Sequence, residues 1–169
     1  MVPRLIGNIN FAPKDPQHPD LWQLEEPFAQ VTRDGYIIIC RPWKRTDGAS
    51  IPDILWGLLG HPFEDENTFW SIPHDQGYHG EALVLDLTEI KDVQPEALLI
   101  KKDKSGWLYE DFDELHKRMP RKWFDRSMRS AMDLMRERRW KQCLAYAGVR
   151  SFGWKAWRSD AGSGSGSSR

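Results

Sequence analysis

The densest chemistry in the sequence is the adjacent pair His74-Asp75, with Tyr78 one helical turn beyond His74. Neighbours on a helix point about 100° apart, so an imidazole can face a cleft while the carboxylate turns to a nearby loop. Such a pair can divide the work of general base and metal ligand. A carboxylate that holds the second nitrogen of a His is the usual support for a base. Asp125 is the candidate for that support. It shares the i, i+3, i+7 side of a helical segment with Met128 and Met132, where an unpaired charge would be costly. It therefore requires a buried partner, drawn from His74, Tyr78, Tyr146 and Arg150. The catalytic set expected from these residues is His74, Asp125, Tyr78 and Tyr146. The plainer alternative is a structural ion pair between Asp125 and Arg150.

The stretch Thr46-Asp47-Gly48-Ala49-Ser50 adds a carboxylate, two hydroxyls and backbone carbonyls beside a glycine. Asp47 together with Asp75 would suit a hard cation, Ca²⁺ or Mg²⁺, although the same stretch can serve as an Asx turn that caps a helix. The cofactor expectation is accordingly none or Ca²⁺. His74 and His79 are five apart, about 140° round a helix, whereas the zincin pair needs a spacing of four, so a zinc peptidase is not expected. A His-Asp phosphohydrolase shares the doublet and a later Asp, but that fold is all helical. No G-x-S-x-G, P-loop or Rossmann fingerprint is present.

The elements that must position these groups are legible in outline. Phe28 to Thr32, the turn Arg33-Asp34-Gly35 and Tyr36 to Cys40 carry a β-hairpin signal, which argues against the all-helical reading. Ile54 to Leu59 is a short apolar helix candidate. Asn67 or Thr68 can cap a helix carrying Phe69, Trp70, His74 and Tyr78, with Pro73 starting or kinking it. Residues 82–116 have the character of an insertion, with strand candidates at 82–87 and 97–100 and a turn over 101–106. Pro120 opens an amphipathic helix whose apolar stripe is Phe124, Met128, Ala131, Met132 and Met135, and whose wet face is Arg121, Lys122, Arg126, Arg129 and Arg136. A second helix runs from about Trp140 to Trp157, interrupted or ended near Gly153. The expectation is an α+β fold: an N-terminal extended arm over residues 1–27 with five prolines, one domain over 28–158 containing the hairpin, the His-Asp helix and an antiparallel C-terminal helical pair, and a flexible Gly/Ser tail over 159–169.

With 169 residues, 40% hydrophobic and 29% charged, the chain suits one domain with its own core. It holds no apolar run near the roughly 20 residues of a membrane span, and its N-terminus has no apolar leader, so export is not expected. Cys40 and Cys143 are expected as buried free thiols. The net charge of -1 hides a partition, because residues 117–158 carry 13 basic against three acidic side chains, a local +10. A basic face attracts phosphates of an anionic membrane or nucleic acid, or is simply solvated. Arg126, Arg129 and Arg136 are its expected interface residues, and nine tryptophans favour a contact surface. The proline-rich arm is expected to wrap a partner, and removing residues 1–20 to leave the domain folded, since no periodic core positions lie there.

Five motifs in order carry a resemblance: Thr46-Asp47-Gly48-Ala49-Ser50-Ile51-Pro52, Trp56 to Gly60, His74-Asp75-x-x-Tyr78, Asp125-x-x-Met128-x-x-Ala131-Met132, and Tyr146-x-x-Val149-Arg150-x-Phe152-Gly153-x-x-Trp157. They resemble the phage-associated family catalogued as domain of unknown function 1353, over residues 36–80 and 120–157. That resemblance implies a bacteriophage-encoded protein and no settled activity; the Trp-rich, basic surface and the proline-rich arm favour a virion or tail component among other virion proteins, in the particle or the host cytoplasm. A more distant likeness is to phospholipase A2. It implies His74 as base, Asp75 as Ca²⁺ ligand, and Asp125 with Tyr78 as support, in an ester or phosphoester hydrolase. The cysteine scaffold and glycine-rich calcium loop of that family are missing. An open cleft leading to His74 would mark the enzyme, whereas sealing by Trp56, Trp70 and Phe152 would mark a structural cluster.

Overall fold

The computed structural model describes residues 2–15, 18–46, 57–59, 66–90, 92–104 and 106–153. Strands are β1 (Arg4–Ile6), β2 (Phe11–Asp15), β3 (His18–Leu24), β4 (Phe28–Val31), β5 (Tyr36–Cys40), β6 (Arg45–Thr46), β7 (Leu83–Asp86), β8 (Lys101–Asp103) and β9 (Gly106–Trp107). Helices are α1 (Glu66–Tyr78), α2 (Arg121–Leu134) and α3 (Arg139–Phe152), with 3₁₀ turns at Ala97–Leu99 and Leu108–Leu115. The fold is α+β.

The runs Phe28-Ala-Gln-Val and Tyr36-Ile-Ile-Ile-Cys form the centre of an antiparallel sheet ordered β1-β4-β5-β7. Phe28 pairs with Cys40 and Val31 with Ile37. Gly35, at φ +89°, makes the turn that joins them, a conformation open to glycine at little cost. These strands do not alternate between polar and apolar because both faces are covered. Ala29, Val31, Ile37, Ile39, Leu83 and Leu85 pack on one side with Leu87, Ile90, Leu98 and Tyr109. On the other side, Ile38 and Val84 meet Tyr78 and Phe124, while Phe28 and Cys40 meet Ile72. The helical layer lies on that second face, and its own cluster joins Trp70 of α1, Met128, Ala131 and Met132 of α2, and Ala145 and Val149 of α3.

Several expectations are corrected here. Residues 82–116 belong to the body: β7 pairs with β5 from Tyr36 opposite Asp86 to Ile39 opposite Leu83, and the segment supplies much of one face's core. Ala97–Leu99 is a 3₁₀ turn rather than a strand, closed by Ala97 N–H to the Gln94 carbonyl at 2.9 Å and Ile100 N–H to the Ala97 carbonyl at 3.2 Å. The N-terminal segment does contribute core: β1 pairs with β4, Leu5 packs against two clusters of the helical layer, and Ile6 packs against the opposite face. Cys40 is buried but Cys143 is exposed, because it falls on the solvent side of α3. Pro73 lies inside α1 and does not begin it. Of the apolar helix candidate only Gly57–Leu59 falls in the described residues, where it is helical, and the tail over 159–169 lies outside them.

The outer edge of β7 is covered. Val84 N–H donates to His116 Nδ1 at 3.1 Å, and Lys117 N–H donates to the Val84 carbonyl at 2.8 Å. Burial, then the Arg41 and Arg118 charges, hold His116 below its ordinary value, with Asp113 pulling the other way. It stays a neutral acceptor at neutral pH.

Candidate functional site

Three helices meet at one buried carboxylate. Positions 74 and 78 share a face of α1 by their i, i+4 spacing, and the two rings stand 4.0 Å apart between centroids. Asp125 occupies the apolar stripe of α2 beside Phe124 and Met128. The two helices come close because residue 77 is glycine: a Cβ there would run into the Phe124 ring. That approach brings His74 Nε2 to 3.1 Å from Asp125 Oδ1. Tyr78 donates its hydroxyl to the same oxygen, and Arg150 Nη1, from α3, donates to Oδ2 at 2.9 Å. The structure thus brings together both pairings that the sequence left open for Asp125.

Arg121 is the member that sequence reasoning missed, since helical spacing puts it on the wet face. Its Nε donates to the Tyr78 hydroxyl at 3.0 Å and its Nη2 to the Val149 and Arg150 carbonyls at 2.9 and 2.6 Å. It fastens the start of α2 to the end of α3. Its position four residues before Asp125 was the available signal. Two glutamines were also missed. The Gln76 amide pairs with the Arg41 backbone, accepting from its N–H at 2.9 Å and donating to its carbonyl at 3.2 Å, so it extends the end of β5 onto α1. Gln30 of β4 donates to the Ser127 carbonyl at 2.8 Å.

Burial, against the upward pull of Asp125, holds the His74 imidazole below its ordinary value, so it is neutral at neutral pH. Burial alone would push the Asp125 carboxyl up, but hydrogen bonds from His74, Tyr78 and Arg150 outweigh it and hold it below the ordinary range. Tyr78 is pushed upward by burial and then by Asp125, and remains a phenol. The ring proton of His74 therefore sits on Nε2 facing the carboxylate, which leaves a lone pair on Nδ1. That atom is buried and has no hydrogen-bond partner among the described residues. The dyad has the orientation a base requires, yet His74 is 1% exposed and Asp125 and Asp75 are 0% exposed. Trp70 is fully buried, whereas Phe152 is 51% exposed. Trp56 lies outside the described residues.

Asp75 Oδ1 faces His79 Nε2 at 3.4 Å. Burial, then the Asp75 charge, push the Cys40 thiol well above its ordinary value. Among the described residues no three His, Cys, Asp or Glu side chains are grouped to hold a metal ion. Asp47 lies outside those residues. Tyr146, one turn before Arg150 on α3, carries the Arg129 guanidinium 5.9 Å from the centre of its ring, and both line a surface groove with Arg126. Arg136 is exposed at the end of α2 with φ +58°.

A family model described as "Protein of unknown function (DUF1353)" matches residues 22–149. The chain belongs to the DUF1353 family. The match begins in the segment expected as an arm and runs across residues 82–116, in keeping with the place of β7 in the DUF1353 sheet. Comparison with curated proteins and with solved structures returned no match. No helix among the described residues is long and apolar enough to cross a membrane.

Proposed function

We propose that this chain is a bacteriophage-encoded assembly component of the virion or its tail, in which the His74–Asp125 cluster is a structural fastening and the basic helical surface makes the contacts. The observation that carries the reading is burial: the imidazole and both carboxylates of the motif are closed off from solvent. A general base needs its substrate within hydrogen-bond reach, whereas a carboxylate holding three helices together needs only its donors. The local +10 charge of residues 117–158 supplies a surface for acidic neighbours among the virion proteins, and by the same chemistry for an anionic membrane or nucleic acid. The protein would reside in the particle or in the host cytoplasm where particles are built. Mass spectrometry of purified particles from the encoding phage is expected to find the chain as a regular constituent. Reversal of Arg126, Arg129 and Arg136 to Glu is expected to lower its incorporation, as is raised salt during assembly. Absence of the wild-type chain from particles overturns the reading.

A second reading, a His-Asp hydrolase of esters or phosphoesters, draws support from one atom, the buried His74 Nδ1 acceptor without a partner among the described residues. Incubation with phospholipid vesicles and fluorogenic esters, with Ca²⁺ or a chelator, separates the two. Hydrolysis by the wild type that is lost in His74→Ala favours the hydrolase, and equal background rates for both retire it.

A further inference from the structure

A groove of about 440 Å³ opens between the β4–β5 turn, the outer face of α2 and Tyr146 of α3. Its charges are unevenly satisfied. Asp133 pairs with Arg33 at 3.5 Å, and Asp34 accepts the Trp123 indole N–H at 2.8 Å. Arg126 and Arg129 also line the wall, and neither has an ion-pair partner among the described residues. Guanidiniums at i, i+3 on a helix are close neighbours and repel. Ser130, between them and Asp133 on the same helix, lines the groove with its hydroxyl oxygen shielded from solvent and without a hydrogen-bond partner among the described residues. A shielded hydroxyl left unmatched is costly.

One oxyanion between Arg126 and Arg129 offsets their repulsion, and a rotamer change that turns the Ser130 hydroxyl into the groove lets it donate to the same oxyanion. Arginine forks bind phosphate through paired, charge-assisted hydrogen bonds, and a serine hydroxyl adds a donor. The volume lies in the range of small-ligand sites, about 300–1,000 Å³, and Trp123 and Tyr146 give the groove an aromatic wall. The carboxylates of Asp34 and Asp133 in the same wall disfavour a continuous polyanion such as a nucleic acid strand, and favour a compact molecule with one charged end. We propose that this groove binds a phosphomonoester of mononucleotide size, with its phosphate on Arg126, Arg129 and Ser130 and its body along the Trp123–Tyr146 wall. The site is separate from the His74 cluster and stands whether or not the chain is a virion component.

Isothermal titration of the full chain tests it with four probes: adenosine 5′-monophosphate, adenosine, inorganic phosphate and a glutamate-rich peptide. The nucleotide is expected to bind one per chain, with adenosine and inorganic phosphate each at least about tenfold weaker. Arg126→Gln with Arg129→Gln is expected to weaken the nucleotide by about tenfold or more, and Ser130→Ala by about threefold, whereas Lys122→Gln, exposed on the same helix outside the groove, leaves it unchanged. Adenosine or inorganic phosphate binding as tightly as the nucleotide, tighter binding of the acidic peptide, or no nucleotide binding up to about 5 mM each overturns the proposal. The wild-type probe series needs no variant, so its outcome does not depend on a substituted chain folding.

Discussion

With His74, Tyr78 and Arg150 all donating to it, the Asp125 carboxylate is held in a place that water does not reach, and its removal strands three donors at once. Asp125→Ala is expected to cost about 3–5 kcal/mol of stability in urea denaturation, the range for breaking a buried charged network. Arg150→Ala takes the donor from Asp125 Oδ2 but leaves the His74 and Tyr78 bonds and the Arg121 charge in place, and is expected to cost less, about 1–3 kcal/mol. Equal costs for the two would mean that Asp125 is not the hub. The same groups set the response to acid. His74 and His116 both lie below their ordinary value in the folded chain, so the unfolded chain binds protons first as pH falls past about 6.5 and stability declines. Asp125 lies below the ordinary carboxylate value, so its contribution is present above about 3.9 and is lost only as pH falls toward its folded value. Melting temperature is therefore expected to fall between pH 7 and pH 5 and to fall further below pH 4. A melting temperature that is constant or rises from pH 7 to pH 5 would contradict a neutral His74 and His116 in the folded chain.

At the scale of elements, the close approach of α1 and α2 depends on one missing side chain. Gly77→Ala would drive a methyl group into the Phe124 ring and push apart the helices that carry His74 and Asp125. The expected cost is about 1–3 kcal/mol, as for other overpacked cores, read by thermal melting. An unchanged melting temperature would mean that the interface yields freely. The elements were legible where their signals are local. The Asp34-Gly35 turn marks the hairpin, and the spacing of Phe124, Met128, Ala131 and Met132 marks the face of α2. Asp125 stands out as a charge on an apolar stripe. Other features were not legible because they depend on partners distant in the chain. Leu83 to Asp86 has the same composition as an edge or an inserted strand until β5 is placed beside it. Arg121 looks solvated until Tyr78 and the end of α3 arrive over it. Ala97–Leu99 has a strand's composition, but its turn follows Pro95 and closes on Gln94.

For the whole molecule, the sheet between two cores makes the N-terminal residues structural. Removing residues 1–8 would delete β1, uncover β4 along its Ala29–Val31 register and take Leu5 and Ile6 from the clusters they pack against. The shortened chain is expected to melt at lower temperature and to self-associate in light scattering, since a bare central strand is a template for another chain. A monomeric truncation of unchanged stability would restore the picture of a loose arm. In the intact protein both ends of that sheet are blunted. A three-residue strand ends the sheet at β1, and at β7 the backbone groups of Val84 are taken by His116 and Lys117. Copies of this chain are thereby hindered from polymerising through that sheet, and a neighbour that meets it does so face to face, by side chains, rather than by lengthening its ribbon.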